Sequence, residues 1–198
     1  ALKKHIPTMI NFFNFDTAGE VLKNFGPARI ITATNMFAHV DQLDSFMRGI
    51  KLLLDNNGVF ISESHYLLDM ITKMQYDSIY HEHLRYYSLK SLEKLFVKYG
   101  MEIIDAERIS THGGSIRVYA AKAGKFIRQN LVDNLIDNED RAGLYQLETF
   151  IKFAERVKEN KLNLLKIIVD LKKQGKKIVG IGAPAKGNTL INYCHLDA

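Results

Sequence analysis

Apolar residues at Val40, Leu43, Phe46, Met47, Ile50, Leu53 and Leu54 recur with the 3.6-residue period of a helix that buries one face. The spacing predicts an amphipathic helix over 40–54, terminated by Asn56-Asn57-Gly58. On either side lie β-rich runs, Arg29 to Asn35 after Gly26-Pro27, and Val59 to Glu63. Strand, helix and strand in so short a stretch predict a parallel crossover. Farther along, Ser88 precedes Leu89, Leu92, Leu95 and Phe96 at helical spacing, with Gly100 just past the end, so a capped helix is expected there. Met101 to Ile109 and Ser115 to Ala121 read as two further strands. The linker between them, Ser110 to Gly114, is too short for a crossover helix, and the strands are therefore expected to be antiparallel neighbours.

A parallel α/β sheet that finishes in an antiparallel hairpin resembles the second half of a class I, Rossmann-like S-adenosylmethionine-dependent methyltransferase domain. Residues 127–174 are charged and helical. Their apolar stripe runs through Leu144, Leu147, Phe150, Ile151, Phe153, Ala154 and Val157 and continues through Leu164, Leu165, Ile168 and Leu171. This reads as a connector whose sticky face packs on a helix of the same protein, ahead of a membrane or coiled-coil role. Lys176 to Thr189 then predicts a strand, a small-residue turn and a helix start, opening a second α/β unit.

Composition narrows the class. At 198 residues and 46% hydrophobic, the chain can bury one ordinary core and part of a second. The formal charge of +5 is spread along helices rather than gathered in a stripe, so nucleic acid is not demanded, while a small anionic ligand is welcome. Cys194 is the single cysteine, which rules out an internal disulfide and a cysteine-built zinc site in this chain and fits a reducing cytoplasm. No apolar run approaches the roughly 20 residues of a membrane span. The first residues, Ala-Leu-Lys-Lys-His, lack signal-peptide anatomy, and their missing Met, with the abrupt last unit, leads us to expect a fragment.

Candidate chemistry concentrates at Ile79-Tyr80-His81-Glu82-His83-Leu84-Arg85-Tyr86-Tyr87-Ser88. A phenol, two imidazoles, a carboxylate and a guanidinium together can take a proton, orient its acceptor and stabilise an anion. As a helix, this segment would place Tyr80, His83 and Tyr87 on one face; as a loop, any subset can converge. The plainer alternative is a solvated polar connection. His39 follows the first strand, at the edge where open α/β sheets bind ligands. His112-Gly113-Gly114-Ser115-Ile116-Arg117 reads either as a hairpin turn or as a backbone that lets a ligand approach, with His112 or Arg117 as the polar contact. Gly180 to Ala185 fits G-x-G-x-x-A, which with Lys186 reads as a phosphate cradle, a dinucleotide site or a structural turn.

Together, Asn35-x3-His39, Tyr80-His81-Glu82-His83, His112-Gly113-Gly114-Ser115 and Gly182-Ala183-Pro184-Ala185-Lys186-Gly187-Asn188-Thr189 resemble the nucleotide-sugar C-methyltransferases, especially those acting on dTDP-4-keto-6-deoxyhexoses. The resemblance runs nearly the whole chain. It implies S-adenosylmethionine as methyl donor and a nucleotide-sugar substrate, with catalytic residues at His39, Tyr80, Glu82 and His83. Asn35, Phe12 and Phe13 are lesser candidates for the donor pocket. His112, Gly113, Gly114, Arg117, Lys186 and Asn188 are candidates for the substrate. It further implies a partial methyltransferase domain over 1–124, a connector over 125–174 and the start of a nucleotide-sugar-binding α/β domain over 175–198. The family's zinc module, the glycine-rich half of its donor fold and one further tyrosine have no counterpart in this chain, which alone is expected to be inactive. An NAD(P)-dependent oxidoreductase and a non-catalytic nucleotide-sugar-binding domain are the alternatives.

Overall fold

The computed structural model describes residues 6–182 and 184–196. Helix α1 (Phe15–Phe25), absent from the sequence expectations, begins where Asn14 accepts a hydrogen bond from the Thr17 amide and ends at Gly26, whose φ of 78° suits the missing Cβ. The signal was present as an asparagine cap, an early Asp16, a late Lys23 and a Gly-Pro stop. Strand β1 (Ala28–Thr34) leads through a short 3₁₀ turn at Phe37–His39 into α2 (Leu43–Leu53) and then β2 (Leu54–His65), which pairs with β1 in parallel. The crossover is the one the periodicity predicts.

The helix boundary differs from the expectation. Residues Asp55 to Gly58 lie inside β2, not in a helix-terminating turn, and a register irregularity absorbs them opposite Ala28 and Ile30. Gly58 serves close approach instead: a Cβ there would lie 2.8 Å from the Ala28 carbonyl oxygen and 3.0 Å from the Leu54 side chain.

After β2 come α3 (Leu67–Thr72), also unforeseen, and the Tyr80–Ser88 segment, which is an irregular loop rather than a helix. Ser88 then caps α4 (Leu89–Lys98) through a reciprocal box with Ser91. Strands β3 (Met101–Ile109) and β4 (Ser115–Lys122) form the antiparallel hairpin, and β4 inserts between β2 and β3 to give the sheet order β1-β2-β4-β3. Its core, including Phe37, Phe46, Met47, Ile50, Phe60, Leu92, Phe96 and Ile116, is closed to solvent on the side of α2 and α4.

The charged stretch forms two helices, α5 (Asn130–Arg141) and α6 (Leu147–Lys173), parted at Gly143, whose φ is 65°. Leu144, Phe153 and Val157 of the predicted stripe are buried, whereas Leu147 and Ile151 face solvent. Helix α5 is locked to α4 by Glu139, fully buried, whose carboxylate accepts from the Leu89 amide at 2.6 Å, the Lys90 amide at 3.2 Å and the Tyr145 hydroxyl. A carboxylate on the first amides of α4 satisfies donors that the helix itself cannot. Glu139→Ala is expected to cost about 2–4 kcal/mol, read from the urea midpoint of the complete protein, because it strands those buried donors.

No strand forms among residues 176–182; the run is exposed and irregular, since it meets no ladder partner among the described residues. Helix α7 (Ala185–Cys194) does form, and it folds back on the domain: Tyr193 meets Tyr76 edge-on at 5.5 Å, the Lys161 ammonium donates to the Tyr193 carbonyl at 2.7 Å, and Cys194 is buried. Of the Gly180–Ala185 fingerprint, Ala183 lies outside the described residues. No helix among the described residues is long and apolar enough to cross a membrane.

Candidate active site

A cavity of about 140 Å³ lies at the carboxyl edge of β1 and β2, lined by Asn35, Ala38, His39, Ser64, His65, Tyr80, His83, His112 and Lys186. This is the edge at which open α/β sheets bind ligands. A larger depression of about 580 Å³, walled by Val59, Ile104, Tyr119, Phe126 and Ile127, is shallow and apolar and holds none of the histidines. The smaller cavity is therefore the candidate active site.

Each wall has a local cause. The 3₁₀ turn after β1 buries Phe37 and delivers His39, while Phe37 stacks on Tyr87 at 5.1 Å and so ties this turn to the loop after Ser78. Two backbone contacts complete the clamp: the Leu84 amide donates to the Ala38 carbonyl at 3.1 Å, and the Arg85 guanidinium donates to the Val40 and Asp41 carbonyls. Arg85 is thus committed to holding loops together, in contrast to the anion-stabilising part its sequence neighbourhood indicated.

Held this way, the His83 ring lies 4.9 Å from His39, 5.0 Å from His65 and 4.2 Å from Tyr80, centre to centre. His83 Nδ1 sits 2.7 Å from the Ser78 carbonyl oxygen, and only a protonated nitrogen can donate there. Its Nε2 is then the bare lone pair, and the Tyr80 hydroxyl donates to it at 3.0 Å. Burial lowers the His83 pKa, against the Ser78 bond, and the charges of His39 and Lys186 lower it further. A neutral, oriented base results. Burial, with Glu82 and Asp77 nearby, raises the Tyr80 pKa, so its phenol stays protonated at rest.

On the opposite wall, Asn35 and His112 both adopt left-handed backbone, with φ of 53° and 51°, and the Asn35 side-chain amide contacts His112 Nε2 at 3.0 Å. Two non-glycine residues in that sparsely populated region, meeting in one cavity, are the strain pattern typical of functional sites. The His65 ring, 5.7 Å from His112, joins the two walls.

Of the sequence candidates, the fold brings Asn35, His39, Tyr80, His83, His112 and Lys186 around one cavity. The others lie elsewhere. Glu82 is over half exposed and faces His81 at 4.0 Å. Arg117 is engaged by Glu63 and Glu107, at 3.0 and 2.9 Å. Gly113 and Gly114 are hairpin glycines pressed by the protein itself: a Cβ on Gly114 would lie 2.5 Å from Asp69, and one on Gly113 would lie 2.6 Å from Gln75. Asn188 accepts from Asn192 along α7. Phe12 is 94% exposed, and Phe13 packs on Phe46 at 5.4 Å, so neither lines the cavity. Sequence reasoning missed Ser64 and His65; the polar run Ser62-Glu63-Ser64-His65 at the carboxyl end of a buried strand was the available signal. Among the described residues, no group of three or more His, Cys, Asp or Glu side chains is placed to share a metal ion.

Residues 6–106 match a family model described as a methyltransferase domain. The chain belongs to the methyltransferase family. Residues 110–198 of the chain match a second model, the C-methyltransferase C-terminal domain. C-methyltransferase NovU of Streptomyces niveus is 31% identical to it over 185 residues, a match covering 93% of this chain and 44% of that protein. The chain thus spans less than half the length of that relative. Two solved structures overlap the chain partly. A SAM-dependent methyltransferase from Anabaena variabilis has a TM-score of 0.43 at 11% identity, covering 58% of this chain and 57% of its own. The magnesium protoporphyrin IX methyltransferase of Synechocystis PCC 6803 has a TM-score of 0.38 at 13% identity, covering 49% and 46%.

Proposed function

We propose that this chain carries the acid–base centre of a C-methyltransferase that uses S-adenosylmethionine to methylate a nucleotide-linked 4-keto-deoxysugar. One observation carries the reading: the Tyr80 hydroxyl donates to an oriented, neutral His83, with His39 beside them, in a cavity at the carboxyl edge of the parallel strands. At about 140 Å³, the cavity suits a single ring. It is smaller than the roughly 300 Å³ or more of pockets that enclose a whole drug-sized ligand, so the nucleotide would lie outside it. Lys186, reaching in from the start of α7, supplies positive charge toward the diphosphate.

Carbon methylation requires a carbanion equivalent. The ketone at C4 acidifies the C3 hydrogen; its removal as a proton leaves the bonding pair in an enolate, with charge on the C4 oxygen. Tyr80 takes that proton as its own passes to His83 Nε2, so the raised pKa of the phenol never has to be met by a free phenolate. His83 ends as imidazolium, stabilised by its Nδ1–H on the Ser78 carbonyl. His39 stabilises the enolate oxygen. S-adenosylmethionine supplies a methyl group on positively charged sulfur, whose carbon–sulfur bond breaks, leaving its pair on sulfur, as the new carbon–carbon bond forms. Asn35 is the one donor-pocket candidate at the cavity and would hold one edge of that molecule.

Glu82 acts at most through its neighbours, and Arg117, Gly113 and Gly114 support the hairpin. We retain the division into a partial methyltransferase domain over 1–124, a connector over 125–174 and the start of a nucleotide-sugar-binding unit over 175–198, with a cytoplasmic setting and with zinc confined to a module outside this chain.

The test is incubation of the complete protein with S-adenosylmethionine and a dTDP-4-keto-6-deoxyhexose. Mass spectrometry should show one added methyl, and loss of a deuterium placed at C3 of the sugar should locate it. Binding of NAD without methyl transfer would favour an oxidoreductase; binding of sugar nucleotide without turnover would favour a non-catalytic domain. The pH profile gives a second check. Because burial lowers the His83 pKa, the acid limb of kcat/KM is expected below the ordinary imidazole value of 6.5, and Lys186→Met should move it upward.

A further inference from the structure

The chemistry above uses Tyr80 and His83 for the proton and His39 as one partner of the enolate oxygen, and leaves two polar atoms of residues in the same cavity without a task. Ser64 Oγ and His65 Nε2 are sealed from solvent, and neither has a hydrogen-bond partner among the described residues. Both residues line the cavity. The β2–β4 register, with Ser64 opposite Ile116 and His65 opposite Ser115, fixes them at the last turn of the sheet edge. An unpaired buried polar atom costs about 1–3 kcal/mol, so two of them on residues that line one cavity mark a place where a ligand completes the bonding.

We propose that Ser64 and His65 form an oxyanion site that binds the ketone oxygen of the substrate and stabilises it as the enolate forms. This rests on the C-methyltransferase reading and deepens it. The hydroxyl and the imidazole N–H both donate to the oxygen on which charge accumulates when the C3–H pair is released. Donors fixed in advance within a water-poor cavity act most strongly on that charge. His65 is suited to donate as a neutral imidazole: burial, helped by Lys186, His83, His112 and His39, brings its pKa down to about 4. It therefore does not compete with His83 for the substrate proton. A neutral imidazole as electrophile is a known solution to enolate stabilisation.

The experiment uses the complete enzyme with a dTDP-4-keto-6-deoxyhexose. Methyl transfer and exchange of the C3 hydrogen in deuterium oxide are followed for the parent, His65→Ala and Ser64→Ala. Loss of an oxyanion donor is expected to lower kcat by about 100-fold or more for His65→Ala, with a smaller change in KM and with S-adenosylhomocysteine affinity unchanged. Exchange should fall in parallel, and Ser64→Ala should lower both as well, by less. An active parent whose two variants keep kcat and exchange within a few-fold overturns the Ser64–His65 site alone and leaves those atoms as hosts for water. A parent that neither exchanges nor methylates the ketone overturns the C-methyltransferase reading together with the site. If the variants do not fold, nitrogen-15 resonances of the intact enzyme decide. A His65 Nε2 signal that moves as sugar nucleotide saturates the protein supports the site, and an unmoved signal overturns it.

Discussion

Replacing His83 by alanine in the complete enzyme should lower kcat/KM for methyl transfer by about 100-fold to 10,000-fold, the range expected when a positioned general base is lost. The geometry makes the loss specific. In the proposed mechanism His83 is the terminus of the proton path, and its Nε2 is the acceptor that lets Tyr80 give up a proton despite a raised pKa. Tyr80→Phe should fall within the same range, since the phenol is the link between substrate and imidazole. The double variant should be little worse than either single one, because residues that act as one unit are strongly non-additive. S-adenosylhomocysteine binding should be unchanged in all three, which separates a chemical defect from a folding one. Single variants that retain turnover within a few-fold would show that the proton leaves by another route.

The reason this dyad was legible from sequence, and its neighbours less so, lies in what the fold adds. Tyr80 and His83 are three residues apart, so a single tight turn brings them together, and the His83 amide does bond the Tyr80 carbonyl at 3.0 Å. His39 was legible for a different reason: the end of a parallel strand is a ligand edge whatever follows it. Ser64 and His65 were hidden because β2 runs two residues past the expected Glu63, and their polar character looked like the start of a loop. Conversely, Glu82 shares the motif of Tyr80 and His83, but the turn that joins those two turns it outward to His81. Arg117 and the Gly113-Gly114 pair carried chemistry-bearing residue types whose partners Glu63, Asp69 and Gln75 come from distant stretches that local spacing cannot pair. Periodicity gave the parallel crossover and the hairpin, because each depends on local pattern and linker length. The strand expected to open the Lys176 to Thr189 run failed on the same ground that favoured the others: a β-rich run becomes a strand only when another edge receives its hydrogen bonds.

Asp69→Asn is expected to destabilise the complete protein by about 3–4 kcal/mol at neutral pH, the lower part of the range for breaking a buried ion pair, since its cationic partners are partly solvated. The Asp69 side chain is 2% exposed and accepts from Arg108 at 2.8 and 3.2 Å and from Lys73 at 2.7 Å. It thereby joins α3 to β3, while its carbons press on Gly114 at the hairpin turn. Burial pushes the Asp69 pKa upward, but the Arg108 and Lys73 hydrogen bonds and charges outweigh it, and the net direction is down from 3.8. A carboxyl with a depressed folded-state pKa contributes stability that is complete above its unfolded value and lost as pH falls through the folded one. The gap in urea midpoint between parent and Asp69→Asn should therefore be full at pH 7 and should begin to close only as the pH drops below about 4. A gap that stays constant down to strongly acidic pH would mean that shape, not charge, holds this corner. Because the same corner seats His112 through the hairpin, the variant should also weaken turnover at temperatures where it remains folded, with a larger effect on KM than on the acid limb set by His83.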